Sequence, residues 1–136
     1  MRVYLDTNVL LDFFLKREPF YESSKSIIRM ADEMKIICYT SPISISNIAY
    51  IMQKFGRDKV KNLTLKLLSI IHLTELDKQI YIAAFNSKFE DVEDALQYFS
   101  ASKTKADVII TRNTKDFKHS SIEINTPEQF LNQRVP

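Results

Sequence analysis

The sequence predicts an α/β fold, a three-layer α/β/α sandwich around a central parallel sheet of about five strands. Three observations predict it. Short apolar runs of strand length alternate with longer segments whose apolar residues recur at three and four positions. Val108-Ile109-Ile110 is continuously apolar, the mark of a strand buried on both faces. Strands are separated by helices throughout, which implies parallel pairing with right-handed crossovers.

Val3 to Leu5 reads as the first buried strand, and Val9 to Leu15 as a short helix. Pro19 punctuates the chain before a helix from Tyr21 to Lys35, carried by Ile27, Ile28, Met30, Ala31 and Met34. Ile36 to Tyr39 is the second strand. Ser41-Pro42 opens the next helix, which stops near Phe55-Gly56. Lys59 to Ile70 is helical by the spacing of Val60, Leu63, Leu67 and Leu68, and Ile71 to Leu76 gives a third strand. Asp77 caps a helix running through Ile80, Ala83 and Ala84. Phe89, Val92, Leu96 and Phe99 form the apolar stripe of a helix led by acids. Val108 to Ile110 is the fourth strand and Ile122 to Ile124 the fifth. Thr126-Pro127-Glu128-Gln129 closes the pattern as a capping box with proline at the first helical position.

At 136 residues the expectation is one domain spanning 1–136. No apolar run approaches the roughly 20 residues of a membrane span, and Asp6 interrupts the N-terminal apolar run, so the expected location is cytoplasmic. Cys38 is the only cysteine, and His72 and His119 are the only histidines. That excludes an intrachain disulfide and argues against a zinc site of Cys and His ligands; Cys38 reads as a buried structural thiol. Gly56 is the only glycine, which excludes the phosphate-binding loops that need several. A net charge of +2 is too small to declare a nucleic-acid partner.

The chemistry lies in the acids. Asp6 follows the first strand, and the carboxyl edge of a parallel sheet is where ligands bind. Glu90, Asp91, Glu93 and Asp94 crowd the start of a later helix, and Asn113 and Asp116 follow the fourth strand. Carboxylates gathered in one cleft repel one another unless a cation neutralises them. Mg²⁺ or Mn²⁺ prefers such oxygen ligands, and would acidify and position a water against a phosphodiester. The bland readings stand beside this one. Acids in a first helical turn are favoured by the macrodipole alone, Asp6 can cap the helix that follows it, and Asn113 and Asp116 can stabilise a turn. The joint occurrence at strand ends favours the functional reading.

Leu5-Asp6-Thr7-Asn8-Val9-Leu10-Leu11-Asp12 resembles the opening motif of PIN domains. Asp91-Val92-Glu93-Asp94-Ala95-Leu96 resembles their central acidic helix start, and Thr111-Arg112-Asn113 with Asp116-Phe117 their closing segment. The resemblance spans essentially the whole chain. It implies a Mg²⁺- or Mn²⁺-dependent ribonuclease and, at this size, a VapC-like toxin neutralised by a partner antitoxin and usually dimeric. Carried over by position, Asp6 and Asp94 are the first and third metal-site acids, and Asn113 takes the fourth place with Asp116 beside it. The second place, commonly glutamate, falls on Asn47 here, as in a subset of the family, and Asp91 or Glu93 is available to compensate. The resulting metal set is Asp6, Asp94, Asp91 and Asn47; the catalytic set is Asp6, Asp94, Asn113 and Asp116.

Arg112, Lys115 and Lys118, with Lys103 and Lys105 before the fourth strand, are expected to form a positive rim for RNA. Thr7, Asn8, Ser44 and Thr111 are candidates for orienting ligands, Thr7 and Asn8 also for touching RNA. Three other functions fit less of the sequence. A PIN-fold protein of weakened activity, acting by binding RNA or antitoxin, is favoured by the neutral Asn47. A haloacid-dehalogenase phosphatase needs an aspartate where Asn8 stands. A receiver domain needs paired acids after its first strand and a lysine after its last, and neither is present.

Overall fold

The computed structural model describes residues 1–134. Its elements in chain order are β1 (Arg2–Leu5), α1 (Thr7–Phe14), α2 (Tyr21–Asp32), β2 (Ile37–Thr40), α3 (Pro42–Met52), α4 (Arg57–Leu68), β3 (His72–Leu73), α5 (Lys78–Phe85), α6 (Val92–Lys103), β4 (Val108–Ile110), β5 (Glu123–Asn125) and α7 (Pro127–Arg134). Single 3-10 turns lie at Gln53–Phe55 and Thr114–Phe117. The strands form one parallel sheet in the order β3-β2-β1-β4-β5. No helix among the described residues is long and apolar enough to cross a membrane.

Because side chains alternate along a strand, β1 and its neighbours sort the core into two layers. Val3 and Leu5, with Cys38, Val108 and Ile110, pack against Val9 and Leu10 of α1, Ile27 and Ile28 of α2, Ile48 of α3, Leu67 of α4 and Phe130 of α7. Tyr4 and Ile109 face the other way, onto Tyr98 and Ala101 of α6 and Phe117. α5 joins that second layer through Ile80 and Ala84 against Ala95 and Leu96. The expected α/β/α sandwich with five parallel strands is therefore what the chain forms.

The caps follow the expected chemistry. Ser41 Oγ accepts from the Ser44 amide at 3.2 Å with Pro42 opening α3, and Asp77 Oδ1 accepts from the Ile80 amide at 3.0 Å. The capping box before α7 is reciprocal: Thr126 N–H donates to Gln129 Oε1 at 2.9 Å, and Gln129 N–H to Thr126 Oγ1 at 3.1 Å. Gly56, at φ +94°, separates the 3-10 turn from α4.

Several boundaries shift by one or two residues, and two, the end of α2 and the end of β3, depart further. α2 stops at Asp32 because Met34 adopts φ +60°, letting Lys35 N–H donate to Met30 O at 2.9 Å and Met34 N–H to Ala31 O at 3.0 Å. This is a Schellman closure built without glycine. The same device, on Lys16 and Lys105, ends α1 and α6. β3 is only His72–Leu73 because its neighbour β2 ends at Thr40, where the chain turns into α3. One further bond, Thr74 N–H to Thr40 O at 2.9 Å, finishes the ladder.

The order β3-β2-β1-β4-β5 reverses direction at β1: β2 and β3 build outward on one side, β4 and β5 on the other. The crevice of an open α/β sheet opens at such a reversal, outside the carboxyl ends of the two strands that flank it. Here those ends deliver Asp6 and Thr111.

Candidate metal centre

Asp6 occupies the N-cap position of α1 with extended backbone, yet its carboxylate makes no capping hydrogen bond. It is held from the sides instead. Thr111 Oγ1 donates to Oδ2 at 2.7 Å and Gln97 Nε2 donates to Oδ1 at 3.0 Å. Gln97 is fixed in turn, because Tyr4 Oη donates to its Oε1 at 3.0 Å, with Ser44 Oγ at 3.5 Å from the same oxygen. Ser44 also shares a 2.7 Å hydrogen bond with Thr7. Tyr4, Ser44, Gln97 and Thr111 are all buried, so this polar floor is shielded from water and mutually satisfied.

Above the floor is a cleft of about 480 Å³ lined by Asp6, Thr7, Asn8, Leu11, Asn47, Tyr50, Ile51, Asp91, Glu93, Asp94, Gln97, Asn113 and Asp116. Five of these are acids and none is lysine, arginine or histidine. The start of α6 supplies three of the acids, Asp91 from its N-cap and Glu93 and Asp94 from its first turn. Asp91 caps the helix, its Oδ1 accepting from the Asp94 amide at 3.1 Å, so the capping role read for such acids is real for this one. Asp94 projects into the cleft, and Glu93 is bonded by Asn47 Nδ2 at 2.8 Å. Asn113 and Asp116 approach from the turn after β4, where Asn113 N–H donates to Thr111 Oγ1 at 3.0 Å.

The electrostatics carry the mark of uncompensated charge. Burial pushes Asp6 up, with Thr111 and Gln97 pulling it back. Glu93 is raised by burial, then by Asp91 and Asp6. Asp94 is pushed to about 7, by burial first and then by Asp91, Asp6, Asp116 and Glu93. Six residues beyond Asp6, burial raises Asp12 as well, but there the opposing groups are cations, Arg112 and Arg17. Asp12 is fully buried, but Arg112 Nε lies 2.7 Å from Oδ2 and Arg17 Nε 3.1 Å from Oδ1.

The sequence-predicted residues therefore divide. Asp6, Asp94, Asp91, Asn47, Asn113 and Asp116 share one cleft, with Thr7 and Asn8 in its wall. Thr7 is nearly inaccessible and bonded to Ser44, so it supports the wall rather than offering a surface. Lys115 and Lys118 flank the cleft beside Asp91, Asp94 and Asp116. Arg112 does not join them. Its guanidinium pairs with Asp12 and lies 4.1 Å from the centre of the Phe20 ring, tying the segment after β4 to α1 and the start of α2. Lys103 and Lys105 are also displaced from the expected rim, for a topological reason. Residues that precede a parallel strand sit at its amino edge, opposite the cleft, and Lys103 is bound to Glu75 and Asp77. Gln97 and Tyr4 join the site without a motif in the sequence to mark them. Gln97 lies three positions after Asp94 on the same helix face, a polar side chain where α6 turns inward, and that register is the signal that could have found it.

A profile of the PIN-domain family matches residues 2–115. The chain is a PIN domain. Ribonuclease VapC1 of Aquifex aeolicus (strain VF5) is 29% identical to it over 134 residues, covering 95% of this chain and 92% of that protein. Among solved structures, a toxin–antitoxin complex from Klebsiella pneumoniae superposes on this PIN domain with a TM-score of 0.70 at 21% identity, over 92% of this chain and 97% of that one. VapBC2 from Rickettsia felis, bound to a DNA fragment from its promoter, superposes with a TM-score of 0.68 at 18% identity, over 93% and 98%.

The donor set suits a hard divalent ion: carboxylate and amide oxygens, with no thiol or imidazole in the lining. Among the described residues, no three acids, histidines or cysteines come close enough to enclose an ion by themselves. Mg²⁺ is commonly held by one or two carboxylates and several waters, so an open carboxylate cleft fits such a hydrated ion better than a fully stripped one.

Proposed function

We propose that this PIN domain is a Mg²⁺- or Mn²⁺-dependent endoribonuclease and the toxin of a type II toxin–antitoxin pair, working as a homodimer that a cognate antitoxin neutralises. The observation that carries the proposal is the cleft itself: five carboxylates and no cation at the sheet's switch point. The name of the A. aeolicus relative and the toxin–antitoxin complexes of the same fold support the substrate class and the partner. A divalent ion bound there would neutralise the phosphate and acidify the water that attacks it.

The chain's own groups take the remaining roles. Asp6 and Asp94 would hold the ion, and Thr111 and Gln97 fix the Asp6 carboxylate without neutralising it. Asn113 and Asp116 bound the site on the β4 side. Lys115 and Lys118 provide charge for the RNA backbone on one flank, while the exposed Tyr50 and Ile51 form the opposite wall. The test is cleavage of a cellular RNA pool by purified protein in Mn²⁺, Mg²⁺ or chelator, beside Asp94→Asn. Cutting that needs the ion and is lost in Asp94→Asn is the expected result. A second reading, a PIN-fold protein that binds RNA or antitoxin with little turnover, draws on the neutral amide of Asn47 in the cleft. It predicts tight RNA binding without cleavage in either metal.

A further inference from the structure

α3 contributes no acid to the cleft; between Pro42 and Met52 there is no carboxylate. What it contributes is an amide donor. Asn47 Nδ2 reaches across to α6 and donates to Glu93 Oε1 at 2.8 Å, 46 residues away in sequence. A glutamate in the first turn of a helix, beside Asp91, Asp94 and Asp6, would by repulsion swing toward solvent. The bond from Asn47 keeps it half-buried in the cleft lining instead. The donor is neutral, so Glu93 is oriented without losing its charge, and one of its roughly four lone-pair sites is taken while the others stay open. Asp6 is treated in the same way, its donors being a hydroxyl and a carboxamide. Where this chain wants a buried carboxylate neutralised it uses arginine, as at Asp12.

We propose that Glu93 helps hold the hydrated divalent ion by accepting from its bound water, and that Asn47 is its positioning residue, so that α3 acts on the metal through a borrowed carboxylate. The inference rests on the metal-dependent reading of the cleft. The experiment is Mn²⁺ binding to the full chain, measured by calorimetry and by the loss of free-Mn²⁺ electron paramagnetic resonance signal, with no substrate present. Glu93→Gln retains an oxygen that can accept from Asn47, and is expected to weaken Mn²⁺ binding about tenfold or more without lowering the metal-free melting temperature. The exchanged pair Asn47→Glu/Glu93→Gln returns one carboxylate and one amide to the same two positions, and is expected to recover affinity to within about threefold of wild type. Asn47→Ala removes the donor and is expected to weaken Mn²⁺ binding as well; a purely structural tether between α3 and α6 would instead lower the melting temperature of Asn47→Ala and leave its Mn²⁺ affinity alone. Unchanged affinity in Glu93→Gln, with binding lost in Asp94→Asn, overturns this inference and leaves the metal reading standing. Unchanged affinity in Asp94→Asn overturns the metal reading and this inference with it.

Discussion

Replacing Asp94 by asparagine is expected to stabilise the metal-free protein at pH 8 and to have little effect near pH 4. In the folded state the carboxyl of Asp94 is raised from an ordinary 3.8 to about 7, by burial and then by Asp91, Asp6, Asp116 and Glu93. An acid raised on folding binds more protons folded than unfolded, so its contribution is fully present below pH 4 and is lost as pH climbs through about 7. A shift of about three units has a ceiling of about 4 kcal/mol; Asp94 is only half-buried, and screening brings the expected effect to about 1–2 kcal/mol. The assay is urea unfolding of both proteins in chelator between pH 4 and 8, read by circular dichroism. The variant should gain on wild type across that window, and Mn²⁺ at about 100 times its dissociation constant should return about 2.7 kcal/mol to wild type only. A variant no more stable at pH 8 than at pH 4, relative to wild type, would refute the account of the cleft as uncompensated charge.

Arg112→Met should cost about 3 kcal/mol at pH 7 by leaving Asp12 buried with only the half-exposed Arg17, and the cost should shrink on acidification as Asp12 takes up a proton; parallel urea titrations at pH 5 and 7 measure both. Glycine in place of Met34, held at φ +60°, should stabilise by about 0.5–1 kcal/mol, since it removes the clash between Cβ and carbonyl in the left-handed region; a drop in melting temperature would contradict this. Burial pushes the Cys38 thiol up to about 12, so at pH 8 only about one molecule in 10⁴ carries the thiolate. A disulfide reagent should therefore label native protein no faster than it unfolds, and label it at once in urea.

Much of this fold can be read from residues because its signals are local. The apolar runs at Val3 to Leu5 and Val108 to Ile110, and the caps at Ser41, Asp77 and Thr126, each act within a few positions. Asp6, Asp94 and Asn113 were placed together by topology alone, since parallel strands bring their carboxyl ends to one edge. What stayed hidden depends on partners distant in sequence. Arg112 looks like an exposed cation until Asp12, 100 residues earlier, is set against it. Asn47 looks like a lost acid until Glu93 is found on its amide. The length of β3 is hidden for a related reason: a strand extends only as far as its neighbour, and that limit lies in β2.

The direction of the hydrogen bonds beneath the cleft makes Gln97 a spectroscopic reporter. Tyr4 donates to its oxygen and its nitrogen donates to Asp6, so the carboxamide cannot flip without losing both bonds. It is only 2% exposed, and one of its two amide protons points at a carboxylate whose charge is what a bound ion would alter. In a ¹H–¹⁵N spectrum that side chain should give two well-separated, slowly exchanging signals. A diamagnetic ion such as Mg²⁺, entering the cleft, should move the signal of the proton facing Asp6 more than its twin, reporting occupancy from below while touching neither substrate nor solvent.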